Sequence, residues 1–299
     1  MSPGAERGPT GMERTRHDTI VHANGVELCV ETFGAADDEA VLLIMGAAAS
    51  MDWWEDEFCA RLAAGARFII RYDHRDTGRS VTYEPGAPGY TGPDLVDDAV
   101  GVLDALGLSR AHLVGMSMGG ALAQLAALDH PDRVTSLTLI ATSPAGPHEV
   151  DLPGMTDEAM AAFGAVTEPD DWSDQRAVVG YLTDLARACA SPSRPFDEPA
   201  ARELAARVVD RTVNIASTAK NHHLAEGGGR WRERLGELDV PTLVIHGTED
   251  PLMPYGHGLA LAREIAGARL LALEHTGHEL PRRVWDVVVP AILEHTAGR

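Results

Sequence analysis

Two shortages in this sequence narrow its chemistry at the outset. It has three cysteines, Cys29, Cys59 and Cys189. An odd, unpatterned set of that size provides neither a disulfide framework nor a zinc knuckle. Positive charge is also scarce: 25 basic against 45 acidic residues leave a formal net charge of -20. Such a surface repels nucleic acid and anionic lipid head groups, which sets nucleic-acid and membrane partners aside and reads as a device for solubility. No apolar stretch is long enough to span a bilayer. Residues 1–16, MSPGAERGPTGMERTR, hold no apolar stretch of the signal-peptide kind. They read as a flexible tail ahead of a fold that begins near His17, with the cytoplasm as the default location. There is no H-E-x-x-H and no internal repeat, so no metal and no cofactor are expected. Nothing in the sequence sets the oligomeric state, and a homodimer stays open.

What is present is an alternation of short apolar runs and helical patterns. Residues 19–33 read as two strands joined at Asn24-Gly25, a pair suited to a tight hairpin because both tolerate positive φ. The runs at 40–46, 67–73, 111–117, 133–142, 241–250 and 268–274 fit strands buried on both faces of a sheet. Helical patterns lie between them. Residues 93–106 put Leu95, Ala99, Val102, Leu103 and Leu106 on one face, with Pro93 suited to the first turn. Further helices are expected over 118–128, 256–266 and 283–295. This order predicts an α/β fold with a mostly parallel sheet covered on both sides. The alternation stops between about 143 and 235, where prolines separate helical segments. The division expected is a core of 17–142 and 236–299 carrying an inserted helical lid over 143–235, because an unstructured loop of that size is uncommon in a compact domain.

The strongest local signal is Gly115-Met116-Ser117-Met118-Gly119, a G-x-S-x-G sequence. A buried strand ends directly before it and a helix opens directly after it, and that context makes the pentapeptide informative. Glycines on either side spare a tight turn from clashes, and the helix N-terminus points dipole and free N–H groups at Ser117. A serine nucleophile needs a base, and the base an orienting acid, here in the chain order Ser, Asp or Glu, His. Asp250 follows a strand end within HGTEDP, where Pro251 tightens the turn; Glu249 is its rival. His278 lies after the last strand within EHTGHELP; His275 is its rival. For the tetrahedral intermediate, the Met118 amide is one expected oxyanion donor. The loop Met45-Gly46-Ala47-Ala48-Ala49-Ser50 supplies the other, with the Ala47 amide as candidate. Gly46, Trp53, Met116, Leu252 and Tyr255, with Trp54, Met118 and Met253 near them, are candidates to line an apolar substrate pocket; core packing is the alternative for the tryptophans. His222, of the pair His222-His223, is a further candidate pocket residue, and a metal site at that pair is disfavoured because adjacent side chains diverge.

Taken together, Met45-Gly46-Ala47, RYDHRDTGRS at 71–80, GMSMGG at 115–120, HGTEDPLMP at 246–254 and HTGHELP at 275–281 resemble the α/β-hydrolase superfamily over most of the chain outside the lid. Within it they look most like the aclacinomycin-methylesterase group of actinobacterial serine esterases. The resemblance implies a Ser117–His278–Asp250 triad, oxyanion donors at Ala47 and Met118, and a carboxylic methyl ester as substrate. Met45 replaces the histidine common before this glycine, as in the methylesterase. Ala47 stands where that esterase has glycine, and Asp76-Thr77 where the superfamily's 71–80 loop carries a glycine-containing pair. The function expected is hydrolysis of a small-molecule ester through an acyl-enzyme. A thioesterase, lactonase, C–C hydrolase or acyltransferase would use the same triad, and a non-enzymatic receptor on the scaffold is the reading from a different class. Ser117 argues against the dehalogenases and epoxide hydrolases, which use an aspartate nucleophile.

Overall fold

The computed structural model describes residues 18–144 and 151–297, so the tail expected over 1–16 lies outside the described residues. Strands β1 (Thr19–Ala23) and β2 (Val26–Phe33) form the expected hairpin. Asn24 and Gly25 take φ of 47° and 76° at its turn. They are followed by β3 (Glu39–Ile44), β4 (Arg67–Tyr72), β5 (Ala111–Met116), β6 (Val134–Ile140), β7 (Thr242–Gly247) and β8 (Arg269–Leu273). The sheet order is β1-β2-β4-β3-β5-β6-β7-β8, antiparallel at β1 and β2 and parallel from β4 to β8. The loops leaving the parallel strands therefore gather at one edge of the sheet.

The helices cover both faces. On one side α2 (Gly92–Ala105), α3 (Met118–Asp129) and α8 (Gly256–Glu264) pack on a core that takes Leu42, Ile44, Leu113, Leu137 and Val244 from the strands. On the other, α1 (Asp56–Ala63) and α9 (Trp285–His295) pack on Val41, Leu43, Ile69, Val114 and Ile245. Consecutive residues of β3 thus serve opposite cores, as the period of two in a strand requires and as a continuous apolar run allows. Helix α2 begins with a capping box between Thr91 and Asp94, which explains its sharp start. Its expected face is inside: Leu95, Ala99, Val102 and Leu103 are buried and Leu106 packs beside them.

Between β6 and β7 the chain forms α4 (Asp157–Ala165), α5 (Gln175–Cys189), α6 (Glu198–Arg211) and α7 (Ile215–Lys220). Asp174, Asp197 and Asn214 cap α5, α6 and α7 with their side chains. Helices α5 and α6 make a small core of their own from Val178, Leu182, Ala205, Val208 and Val209. The end of this stretch belongs to the sheet's own packing. Trp231 and Leu235 are buried in the α2–α3 core, and the Trp231 indole donates to Gln124 Oε1 at 3.1 Å.

Buried ion pairs join the layers. Arg75 forks onto Asp98 of α2 with two contacts of 2.7 Å. Burial pushes the Asp98 carboxyl up from its ordinary value, so the guanidinium is what keeps the charge tolerable there. Arg211, at the end of α6, reaches Asp52 at 3.0 Å and Asp73 at 2.6 Å. Asp73 also accepts from the Met51 amide at 2.9 Å and the Arg79 amide at 3.0 Å. No helix among the described residues is long and apolar enough to cross a membrane. Replacing Arg75 by Met would strand the Asp98 carboxylate, and urea unfolding of Arg75→Met is expected to show a loss of about 3–5 kcal/mol.

Candidate active site

Ser117 sits between β5 and α3 with φ 54° and ψ -122°. A non-glycine residue there costs roughly 1–3 kcal/mol and persists only when its surroundings hold it. They do. The Ser117 amide donates to the Ile140 carbonyl at 3.0 Å, and its own carbonyl accepts from the Thr142 hydroxyl at 2.7 Å and the Gly120 amide at 2.9 Å. The turn is this tight because α3 starts directly against the sheet. A Cβ at Gly119 would lie 2.1 Å from the Ile44 carbonyl oxygen, so no other residue fits without moving the helix. The result lifts Ser117 to the sheet edge, half-buried, at the mouth of the α3 dipole.

Asp250 lies in the loop after β7 and His278 in the loop after β8, and both are buried. His278 Nδ1 meets Asp250 Oδ2 at 2.8 Å. The other carboxylate oxygen accepts from the amides of Leu252 and Met253 at 3.0 and 2.8 Å. Asp250 is thereby fixed in rotamer and has one oxygen left to orient the imidazole, whose Nδ1 then carries the proton and whose Nε2 presents a lone pair. No hydrogen bond joins His278 Nε2 to Ser117 Oγ among the described residues; such bonds commonly tighten only when substrate is seated. His246, four residues before Asp250, packs beside it: its Nε2 donates to the Met253 carbonyl at 2.8 Å and lies 3.5 Å from Asp250 Oδ2.

The rivals Glu249 and His275 form a pair of their own. His275 Nδ1 meets Glu249 Oε1 at 2.8 Å, with the histidine side chain half exposed. Glu249 Oε2 accepts from Ser191 at 2.5 Å and Ser193 at 2.6 Å, in the segment that follows α5. These hydroxyls and the His275 ring hold the carboxyl down at about 2. The same segment docks on the His278 loop, since the His278 amide donates to the Cys189 carbonyl at 2.8 Å. A Cβ at Gly277 would meet that carbonyl at 2.4 Å, so only glycine allows the approach.

The loop after β3 flanks Ser117. A Cβ on Gly46 would stand 3.7 Å from Ser117 Oγ. The Met45 carbonyl accepts from His74 Nε2 at 3.0 Å, and the Ala48 amide donates to His222 Nδ1 at 2.9 Å. Ala48 is therefore committed, whereas the Ala47 amide has no hydrogen-bond partner among the described residues. The remaining candidates divide. Trp53 packs against both the α1–α9 core and the α5–α6 core, at the seam between them. Leu252 and Tyr255 are half-buried in the Asp250 loop, with the Tyr255 ring 6.2 Å from that of His246. Met116 and Trp54 are buried in the α1–α9 core, where Trp54 stacks on Phe58, so packing accounts for both. His222 departs from its expected place as a pocket residue. It is buried and both ring nitrogens are taken by backbone, Nε2 donating to the Arg75 carbonyl at 2.8 Å. A cavity of about 160 Å³ opens elsewhere, lined by Pro93, Val96, Leu125 and Trp231 among others, and none of Ser117, Asp250 or His278 borders it. No group of three or more His, Cys, Asp or Glu side chains suited to a metal lies together among the described residues.

Sequence reasoning did not find His74, Thr142, Arg211 or His246. The run RYDHRDTGRS marks His74 as part of a patterned loop, but its partner, the Met45 carbonyl, lies in the loop after β3, far away in the chain. The Asp76-Thr77 departure also becomes intelligible. Asp76 takes φ 65° and earns its place through its side chain, which accepts from the Tyr83 amide at 2.6 Å and from Asn221 at 2.9 Å.

A strained serine at a strand–helix elbow, a buried acid–imidazole pair on the two following strand ends and a small-residue loop beside the serine define a hydrolase-type centre. The family model for the alpha/beta hydrolase fold matches residues 39–281, and the chain belongs to that family. Among curated proteins it is similar to rhodomycin D methylesterase DauP of Streptomyces sp. (strain C5), 32% identical over 93% of this chain and 97% of that one. Rhodomycin D methylesterase DnrP of Streptomyces peucetius is 30% identical over 91% and 95%. Among solved structures, the esterase EaEST of Exiguobacterium antarcticum superposes with a TM-score of 0.76 at 24% identity, covering 94% of this chain and all of that one, which attests the fold.

Because the Glu249 carboxyl is held below its unfolded value of 4.5, its contribution is complete above that pH and disappears as pH falls through about 2. Thermal unfolding of Glu249→Gln is expected to show a lower Tm than wild type at pH 7, with the difference shrinking below pH 4.5. A gap that stays constant with pH would show that the carboxylate charge is not what holds this contact.

Proposed function

We propose that the chain is a serine esterase that cleaves a carboxylic ester through an acyl-enzyme. The observation that carries this reading is the pairing of His278 Nδ1 with buried Asp250 at 2.8 Å on the sheet edge where Ser117 is held at φ 54°. Ser117 Oγ attacks the ester carbonyl while His278 Nε2 takes its proton, and Asp250 stabilises the imidazolium. The carbonyl oxygen becomes an oxyanion facing the amides of Met118 and Ala47. Collapse of the tetrahedral intermediate breaks the C–O bond, and His278 returns its proton to the departing alcohol. Water, deprotonated by the same imidazole, then attacks the acyl-Ser117 carbonyl and releases the acid.

For the substrate, the two rhodomycin D methylesterases, matched over more than nine-tenths of this chain, support a carboxylic methyl ester. The half-buried Trp53, Leu252 and Tyr255 are apolar surfaces suited to it. The helices α4–α7 form the cap that selects it.

Hydrolysis of p-nitrophenyl esters from acetyl to octanoyl and of aromatic methyl esters, by wild type and Ser117→Ala, tests the reading. Wild type is expected to turn over at least one ester, and Ser117→Ala to lose on the order of 10⁶-fold in kcat. Retained turnover in Ser117→Ala removes Ser117 as the nucleophile. The acid and base assignments are checked in the same assay. Asp250→Asn is expected to lose about 10⁴-fold in kcat, as when an orienting acid is removed from such a triad. His275→Ala is expected to keep kcat within the wild-type order of magnitude, and the reverse pattern would transfer the roles to Glu249 and His275.

A further inference from the structure

His222 belongs to the cap, in the turn after α7, yet its ring is built into the loop beside the nucleophile. We infer that His222 is a positioning residue for ester cleavage, holding the Met45–Ala48 loop so that the Ala47 amide faces the developing oxyanion; this rests on the esterase reading above.

The tautomer follows from the partners. The Ala48 amide can only donate, so His222 Nδ1 is the acceptor at 2.9 Å. The Arg75 carbonyl can only accept, so Nε2 carries the hydrogen, at 2.8 Å. One neutral imidazole therefore bridges two loops at the sheet edge. Protonation would set an N–H against an N–H, and burial, with His74 and His223 close by, keeps the ring neutral by pushing it down to about 3 despite Asp76. Ala48 itself takes φ 56°, a left-handed conformation that an alanine does not hold unaided. The bond from His222 falls on the amide of that residue.

The support behind His222 is rigid. Asn221 donates to Asp76 Oδ2 at 2.9 Å and to the Glu84 carbonyl at 3.0 Å, and accepts from the Gly86 amide at 2.7 Å. Thr218 donates to the Asp76 carbonyl at 2.5 Å and Ser217 to the Tyr83 carbonyl at 2.5 Å. On the other side of the loop, His74 holds the Met45 carbonyl, and its ring meets that of His222 edge-on at 5.7 Å. Gly46 and Ala47 are suspended between these two histidines. An oxyanion donor acts only when charge develops, so misplacing it lowers kcat and leaves KM little changed. That split distinguishes positioning of the oxyanion donor from a merely structural role or a substrate contact.

The test compares wild type, His222→Leu, His222→Asn and His222→Gln on the best ester of the panel. Asparagine sets its carbonyl oxygen near the place of Nδ1 and can still accept from Ala48; glutamine sets its amide near Nε2 and keeps only the contact with Arg75. His222→Leu and His222→Gln are expected to lose about 100-fold in kcat with KM little changed. His222→Asn is expected to recover most of that loss. Affinity for a trifluoromethyl ketone, which adds to Ser117 as a hemiketal oxyanion, is expected to fall in step with kcat. An unchanged kcat, a loss confined to KM, or a loss that asparagine does not recover and the ketone does not register would overturn the inference. If His222→Leu does not fold, the contrast between His222→Asn and His222→Gln decides in the same way. A wild-type enzyme that hydrolyses esters and is labelled at Ser117 by a fluorophosphonate, while these variants match it, sinks only the inference. A wild type that does neither sinks the esterase reading and the inference with it.

Discussion

The close approach of α3 to the ends of β3 and β5 is the constraint from which the site follows. With no side chain at Gly119, the first turn of the helix stands against the Ile44 carbonyl, and the chain can pass from strand to helix only through a left-handed Ser117. The strain is offset by hydrogen bonds from β6 and from Thr142. Because β3 is the neighbour of β5 in the sheet, the same crowding brings the Met45–Ala48 loop alongside the serine. A half-buried strand–helix serine, a helix N-terminus and a small-residue loop beside them are consequences of one packing contact.

The helices between β6 and β7 do more than cover this edge. Arg211 of α6 reaches into the buried pair Asp52 and Asp73, which flank the exit of the loop after β3. The Cys189 carbonyl at the end of α5 receives the amide of His278. His222 receives that of Ala48. The loop beside Ser117 and the loop that carries His278 are therefore both hydrogen-bonded to the segment between β6 and β7.

Burial separates the two acid–histidine pairs. Asp250 and His278 are enclosed, and the carboxylate is oriented by two amides, in a low dielectric where the field of a charge is strong. Glu249 and His275 are nearer solvent and bind the serines after α5, which makes them a fastening between core and cap.

Much of this was legible in the sequence. The apolar runs named the parallel strands, but the last of them, β8, expected to be buried on both faces, is only partly buried because it forms the edge of the sheet. G-x-S-x-G between a strand and a helix marked Ser117, and chain order confined its partners to the last two strand ends. The preference for Asp250 over Glu249 and His278 over His275 rested on nearby Pro251 and Gly277; the structure pairs Asp250 with His278 and Glu249 with His275 alike, and the two pairs differ in burial. What sequence could not supply were contacts between segments far apart in the chain. His222 read as a pocket residue because its two backbone partners, Ala48 and the Arg75 carbonyl, are unrelated to it by any spacing. Met116 read as lining because its neighbour is the nucleophile, whereas the pleat turns its side chain into the core. Local patterns determine which elements form and which residues can carry chemistry, because propensity, strand period and turn geometry are properties of short stretches. The tertiary structure alone decided which of those residues are brought together and which are bound up by backbone, because hydrogen-bond partners and burial are set where distant segments meet.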